Sequence, residues 1–466
     1  MNNSIKMLKA AVIALTLVAA AASCHKEDEG NYYDGPDIYA LNVILTNTSG
    51  LSNLSGIGIT IQEQSGAGYY EGVTSADGKA SFNIPAGVYS ITASGNLSNG
   101  DNYYICNGSL GQVTIREGVL NQATIKLSVA AFDTSNSLII KEIYNGGVMK
   151  DDNSGNFQQD KCIILYNNSP VDYVAENLAI TMGPGYNAEA SSTQKLYTDG
   201  KLSYADENFI PGYNGIWYFQ DNVTIKAFSS LVVNVHGAID NTQTVSNSVN
   251  YANEDYYCMY DPEYEGPGTS ANNKYYNNTS FYPAPADVIP TSHYLKTVKL
   301  GQGNAWAFSV TSPTVFIYRT DGTTPKEAAE DVANEWYHDG YSGNPTWRGT
   351  KILREWILDG VEVWSAEKIS SSVKRLTDDI DVGHVNLTNK LGHSLYRNVN
   401  KEATEALPEN EGLIVYNYSL GVGDSTDPSG IDAEASIKNG AHIVYQDTNN
   451  SSKDFHERSK CSLRGE

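Results

Sequence analysis

Positive charge is scarce in this chain. Lys and Arg number 31 against 54 Asp and Glu, giving a formal charge of −23 over 466 residues. Such a balance offers no basic face to phosphate, which argues against nucleic acid and anionic membrane surfaces as partners. Long apolar runs are missing too. A bilayer-spanning helix needs about 20 consecutive apolar residues, and Ala10 to Ala22 supplies only 13. Cysteine is rare, and none of the 5 residues falls in a C-x-x-C pair, which argues against a zinc site. Cys106, Cys162, Cys258 and Cys461 are widely spaced and leave both disulfides and buried thiols open. No H-E-x-x-H, G-x-S-x-G or phosphate-cradling glycine loop occurs. With 40% hydrophobic and 18% charged residues, the chain reads as globular, and its length allows roughly two to four domains.

What is present begins with the leader. Lys6 and Lys9 precede the apolar run, which is too short for an anchor but fits a secretory h-region. Ala21, Ala22 and Ser23 then lead directly into Cys24. This resembles the lipobox of bacterial lipoproteins, with Ala21 where Leu is usual. The resemblance implies a signal peptide over 1–23 and a lipid on Cys24. Acyl chains contribute about 0.8 kcal/mol per buried methylene, so two or more give a stable tether. Residues 24–35 are polar and Gly-rich, as a flexible stalk would be. Within them Lys26, Glu27, Asp28 and Glu29 resemble the export signal that sends Bacteroidota lipoproteins to the cell exterior; a plain solvated linker is the alternative. The expected location is the outer membrane, lipid-anchored and facing outward.

The fold class is expected to be mostly β, with two β-sandwich domains in series. Over 36–130, Tyr39, Leu41, Val43 and Leu45 alternate with smaller or polar neighbours, as do Ile57, Ile59 and Ile61. This is the period of half-buried strands. Asp77-Gly78 is a hairpin signal, followed by Ala80, Phe82 and Ile84 on one face. Pro85-Ala86-Gly87 turns into Tyr89, Ile91 and Ala93. Short strands with regular turns imply a sandwich. The run from Thr74 to Ile91 resembles the prealbumin-like, carboxypeptidase-regulatory type of domain, which implies a rigid spacer.

Over 131–466 the chain opens with a linker (131–137) and two strands, Leu138 to Gly147 and Cys162 to Ser169. Glu142-Ile143 and Leu165-Tyr166-Asn167 resemble the opening of the lamin-tail domain, an immunoglobulin-like sandwich; Ile164 stands where that family usually has Glu. Phe228 to Val233, His236 to Asp240, Ser312 to Ile317, Trp356 to Glu362, Lys374-Arg375-Leu376 and Gln446 to Ser451 follow in order. Together they resemble an uncharacterised lamin-tail-related family of Bacteroidota surface lipoproteins. That resemblance implies a β-rich exported protein often found beside outer-membrane transporters of the TonB-dependent type, with long loop insertions and no established reaction. One short helix is expected at Thr324-Pro325-Lys326-Glu327, a capping box with Pro at the first helical position. Ala328, Ala329, Val332, Ala333 and Trp336 continue it at helical spacing, and Gly340 ends it.

Chemistry-bearing residues are few. His384 and His393 read as loop or strand residues. Asp151, Asn153, Gly155 and Asp160 faintly resemble a calcium loop but lack the distal Glu, so a polar hairpin is the preferred reading. Asp424-Ser425-Thr426 has the form of a surface glycosylation acceptor. No catalytic residue, metal or cofactor is expected. The segment 251–282 is different. Tyr251, Tyr256, Tyr257, Tyr260, Tyr264, Tyr275, Tyr276 and Tyr282 crowd into it, interleaved with Asp255, Asp261, Glu263 and Glu265. Long structured loops are often functional, and Tyr provides contact area at low entropic cost. The sharper expectation is a recognition loop for a glycan, a chelate or a transporter's outer face, removable without loss of folding. The alternative is an insertion whose tyrosines pack its own base. The functional expectation is a non-catalytic surface lipoprotein that captures a ligand for a TonB-dependent transporter or docks with it. The second candidate is a carbohydrate-binding or adhesive module.

Overall fold

The computed structural model describes residues 36–64, 68–100, 102–134, 136–264, 286–301, 307–338 and 342–464. Cys24, Lys26, Glu27, Asp28, Glu29, Tyr275, Tyr276 and Tyr282 lie outside the described residues, as do Glu265 and Gly340. No described helix is long and apolar enough to cross a membrane.

The chain is mostly β and builds two sandwiches. In the first, Ile38–Thr46 lies between Lys79–Pro85 (antiparallel) and Asn121–Lys126 (parallel) in a three-stranded sheet. A five-stranded antiparallel sheet faces it, in the order Tyr69–Val73, Gly58–Glu63, Gly87–Asn99, Asn102–Ile115 and Ser128–Asp133. The predicted alternation is what fills the space between them. Leu41, Val43, Leu45, Ile57, Ile59, Ile61, Ala80, Ile84, Tyr89, Ile91 and Ala93 are buried in one cluster, with Tyr39 and Phe82 against its edge. Burying each larger aliphatic contributes about 1.5–3 kcal/mol. The Asp77-Gly78 turn is present, with Gly78 at φ +74°. It joins strands in different sheets, however, so it is a corner between layers and not the bend of a single hairpin. Pro85 to Gly87 returns the chain across the gap in the same way. Ala131 to Asp133, expected to begin a linker, finish the last strand of the five-stranded sheet.

The second sandwich has a six-stranded sheet ordered Tyr257–Cys258, Ser230–Asn234, Cys162–Asn167, Leu138–Tyr144, Ser394–Arg397 and Phe455–Arg458. The facing sheet is ordered Glu335–Tyr337, Arg348–Leu353, Phe209–Tyr218, Leu178–Met182, Thr314–Arg319, Ile357–Ser365 and Val385–Leu387, with Lys296–Lys299 also paired to Phe209–Tyr218. Leu138, Ile140, Ile143, Ile163, Leu165, Ile180, Trp217, Val233, Val315, Ile317, Val361 and Val363 form the core between the layers. Strand Leu138–Tyr144 is buried along its whole length, including Lys141 and Glu142. A register shift opposite Ile164 and Leu165 puts a bulge into its pairing with Cys162–Asn167. Such a bulge re-aims side chains, and here Ile140 and Ile143 both reach the core.

The two sandwiches share a third apolar cluster. Ile105, Ala130 and Phe132 of the first pack on Ile139, Tyr166, Phe228, Tyr396, Leu407 and Ile443 of the second. The Phe132 and Phe228 rings meet edge to face at 5.9 Å.

The predicted helix starts as expected. The Thr324 side chain caps the Glu327 N–H and Glu327 reciprocates. It is only six residues long, Pro325–Glu330, because Asp331 turns extended and itself caps a 3-10 turn at Val332–Asn334. Trp336 therefore lies on an edge strand, and Val332 is 75% exposed. Four further short helices escaped the sequence reading: Ser191–Gln194, Lys401–Glu405, Ala433–Lys438 and Ser451–Asp454. Asn400, Asp432 and Asn450 cap the last three, as Asn and Asp often do at helix starts.

Candidate functional site

The tyrosine segment leaves the six-stranded sheet and returns to it, and the sheet fixes its base. Tyr257–Cys258 adds in parallel to the sheet edge, Val233 opposite Tyr257 and Asn234 opposite Cys258. Asn234 holds the crossing, donating from Nδ2 to the Tyr257 carbonyl (3.2 Å) and accepting the Gly237 N–H (2.9 Å). Asp261 is buried and accepts the N–H groups of Glu263 and Thr297. Burial raises its carboxyl above the usual range against the opposing pull of Lys296. Lys296 also binds Glu263 at 2.5 Å.

The described tyrosines divide into two groups. Tyr251 is 1% exposed and sits among Tyr144, Cys162, Ile164, Val232, Val249 and Cys461, with Tyr256 against the edge of that cluster. Tyr260 is in the main core, edge to face with Tyr294, and Tyr264 packs beside the same core. These rings are packing. A deletion of 251–282 would take Tyr251, Cys258 and Tyr260 out of the interior, so it cannot spare folding as the sequence suggested.

Tyr257 packs against the same core as Tyr264, and its ring also makes a stack. Its ring is half-buried and stacks on His293 at 4.0 Å between centroids and 19° between planes. Phe219 supports it from the side at 5.1 Å. His293 is also half-buried, and its Nδ1 lies 3.1 Å from the Tyr256 carbonyl oxygen. Gln220 donates to the carbonyls of Thr291 and Tyr294, fixing the turn that carries His293. Burial, and then the carboxylate of Asp221, holds the Tyr257 phenol above its ordinary range. Glu254 and Asp255 are exposed on the same segment. The result is an aromatic plate at the foot of the loop, with the Asp221 carboxylate close to it. An aromatic face with neighbouring acceptors suits the C–H face and hydroxyls of a sugar, or a cationic group. Sequence reasoning named Tyr257 but missed His293 and Phe219, which lie 36 and 38 residues away on other elements.

The other candidates fall into structural roles. Asp151 and Asn153 occupy a hairpin whose strands pair Val148 with Phe157 and Met149 with Asn156. Asp151 accepts from Ser246, whereas Asp160 is fully buried and accepts the Tyr144 hydroxyl at 2.5 Å. Burial raises the Asp160 carboxyl to about 6. Among the described residues, no group of three His, Cys, Asp or Glu is placed to hold a metal ion. His384 stacks on Trp364 at 3.7 Å, and His393 Nδ1 meets Glu457 Oε1 at 2.8 Å. Ser425 accepts the Glu457 N–H through its Oγ.

Several buried titratable groups are interior ties. His456 donates and accepts between Asn398 Oδ1 (2.7 Å) and the Tyr418 hydroxyl (2.5 Å). Burial, then the Arg458 charge, drives its imidazole down to about 3. Arg458 binds Glu434 at 2.7 Å and lies over the Tyr396 ring. Arg397 Nε donates to the Ile140 carbonyl while its other end pairs with Asp359. Asp359 in turn accepts the Ile140 N–H at 2.7 Å.

Residues 229–417 match the family described as "Protein of unknown function (DUF4876)". Among solved structures, a DUF4876 family protein from Bacteroides thetaiotaomicron VPI-5482 superposes with a TM-score of 0.57 at 19% identity. The match covers 90% of this chain and 94% of that one. It supports the fold: the same β-rich architecture runs through both chains. The full-length major pilin SpaD from Corynebacterium diphtheriae aligns at 11% identity over 78% of this chain and 98% of that one. Its TM-score of 0.17 is too low to bear on the fold. No curated protein matches the chain.

Proposed function

We propose that this chain is a non-catalytic surface lipoprotein, tethered to the outer membrane through Cys24. The first sandwich would act as a spacer, and the second, lamin-tail-related sandwich would present the foot of the tyrosine loop for ligand capture or for docking on a TonB-dependent transporter. The observation that carries this reading is the half-buried Tyr257 and His293 stack, braced by Phe219 and close to the carboxylate of Asp221. Among the described tyrosines of the segment, Tyr257 combines packing on the main core with a stack on the half-buried His293. His456, Arg397 and Arg375 are tied into interior hydrogen bonds and ion pairs, so none of them is assigned a catalytic part in this reading.

The stack also favours the second reading, a carbohydrate-binding module that needs no transporter. One experiment separates the two. The chain from residue 25 onward and its His293→Ala variant are probed on a glycan array. Both are also mixed with detergent-solubilised outer membrane of the source bacterium. Co-isolation of a TonB-dependent transporter with the parent chain, lost in the variant, supports docking. Variant-sensitive glycan binding with no transporter supports the module. Binding of either kind that His293→Ala leaves intact refutes the site.

A further inference from the structure

Cys162 and Cys461 lie 299 positions apart in sequence, yet their sulfurs approach to 4.0 Å inside the protein. The two remaining described cysteines are elsewhere: Cys106 is in the core of the first sandwich and Cys258 in the main core of the second. Of the three connectivities that four cysteines allow, only one joins thiols already in contact. We infer that Cys162 and Cys461 are a disulfide-forming pair, a modification site that closes the second sandwich covalently, and the inference rests on the export reading only for the oxidant it would meet in the cell.

The position of Cys461 does not depend on its sulfur. After strand Phe455–Arg458 the chain turns back across the end of the six-stranded sheet. The Ser394 hydroxyl donates to the Lys460 carbonyl. Ser462 donates its N–H (3.0 Å) and hydroxyl to the carboxylate of Glu142, which is fully buried. The Arg464 N–H returns to the Cys461 carbonyl at 3.0 Å. On the other side, Cys162 is set by the ladder, opposite Tyr144 on one strand and Asn234 on the other. Both backbones are held, and the bond needs the sulfurs to close from 4.0 Å to about 2.05 Å. Tyr251, Tyr144 and Val249 pack around the pair, and burial raises the Cys461 thiol well above its usual range. A thiol so enclosed forms little thiolate once the protein has folded, which puts oxidation during folding, before Tyr251 covers the site.

The chemistry is two thiol–disulfide exchanges with a disulfide-bearing oxidant. The thiolate of one cysteine attacks the oxidant's S–S bond and expels one thiol as a mixed disulfide forms. The second cysteine then attacks its partner's sulfur and expels the other thiol. Two protons leave the cysteines, and the two electrons reside in the reduced oxidant. The ring so closed runs from the second strand of the sandwich to the end of the fold. Constraining so long a loop removes much freedom from the unfolded chain.

The test is refolding of the full chain from residue 25 in glutathione and glutathione disulfide, followed by alkylation under denaturing conditions, digestion and mass spectrometry. The expected result is one cross-linked pair of peptides containing Cys162 and Cys461, with Cys106 and Cys258 alkylated. The link should survive in a Cys106→Ser/Cys258→Ser variant and vanish in Cys461→Ser. Reductant should lower the melting midpoint of the parent by roughly 5 °C or more and leave Cys461→Ser unmoved. Four alkylated cysteines after refolding, or a link to Cys106 or Cys258, would overturn the pair. The same mapping on protein isolated from cells tests export separately. A pair that forms in glutathione but is reduced in cells would count against export and not against the geometry.

Discussion

Arg375 and Glu362 form an ion pair that is 0% exposed on both sides, with Arg375 Nε donating to Glu362 Oε1 at 2.8 Å. Every donor around it has a partner. The backbone N–H groups of Arg375 and Leu376 go to Glu362 Oε2, and the guanidinium also reaches the carbonyls of Gly185, Ser312 and Val363. Desolvation opposes the charge on Glu362, but the charges of Arg375 and Lys374 and the hydrogen bonds from Arg375 outweigh it and hold the carboxyl below its ordinary range. Removing one partner strands the other in a dry interior, at a cost of about 3–5 kcal/mol. Arg375→Met should therefore lower the denaturation free energy of the second sandwich by about that amount. Arg375→Met with Glu362→Leu should recover a good part of it. Urea unfolding of the two variants measures both.

His456 gives the protein a pH dependence with a definite sign. In the unfolded chain a histidine titrates near 6.5, whereas in the fold it titrates near 3. Between those values the unfolded state binds the extra proton, so this contribution to stability is complete above pH 6.5 and falls as the pH drops. The slope approaches about 1.4 kcal/mol per pH unit. Neighbouring Arg458 and Glu434, and the hydroxyls of Tyr418 and Tyr396, keep their charge states over that window or stay paired. Comparing the parent with His456→Gln cancels carboxylates elsewhere, such as Asp160. The loss of stability from pH 6.5 to 4.5 should be smaller in the variant by about 2 kcal/mol. Equal losses would show that the fold does not depress the His456 imidazole.

Tyr251 supplies a prediction of opposite sign for two substitutions at one position. Its ring fills the space over Cys162 and Cys461, but its hydroxyl is buried without a hydrogen-bond partner. Truncation to Ala should cost about 3–5 kcal/mol, as other buried aromatics do. Tyr251→Phe removes the unsatisfied hydroxyl and keeps the ring, so it should be neutral or stabilising by about 1 kcal/mol. Thermal melts of the two variants decide it, and a clear loss in Tyr251→Phe would reveal a partner for that oxygen.

The same residue shows how much was legible in advance. Alternation at Leu41, Val43 and Leu45 or at Ile57, Ile59 and Ile61 reports a strand directly, because one face is buried and the other is not. The capping box at Thr324 and Glu327 was equally plain, because both partners are local. Tyr251 and Tyr257 look alike in sequence. One is core and one is half-exposed, and the difference comes from Cys461 and His293, which no local pattern links to them. Glu362 and Arg375 were visible only as letters within two short phrases. A charge between Val361 and Val363 in a strand is a usable sign of a buried pair, but its partner is set by tertiary structure. The short helices at Lys401–Glu405 and Ala433–Lys438 were missed because five or six residues carry too little periodicity, although Asn400 and Asp432 were there to mark their starts.

The last prediction concerns the joint between the sandwiches. Phe132 ends the five-stranded sheet and meets Phe228 of the second sandwich at 5.9 Å, edge to face. Phe228 in turn stacks on His442 at 4.9 Å, so the contact reaches past the first ring. Such pairs contribute about 0.5–1.5 kcal/mol beyond the area they bury. With Ile105 and Ala130 beside it, the joint should make the first sandwich unfold together with the second. A Phe132→Ala change should cost about 3 kcal/mol and uncouple them. Calorimetry should show one transition for the parent and two for the variant, the lower belonging to residues 36–130. Limited proteolysis should then cut between residues 133 and 138 faster in the variant. A single unshifted transition in the variant would mean that Phe132 does not carry the coupling, whereas two transitions already in the parent would mean that the sandwiches are joined by chain alone.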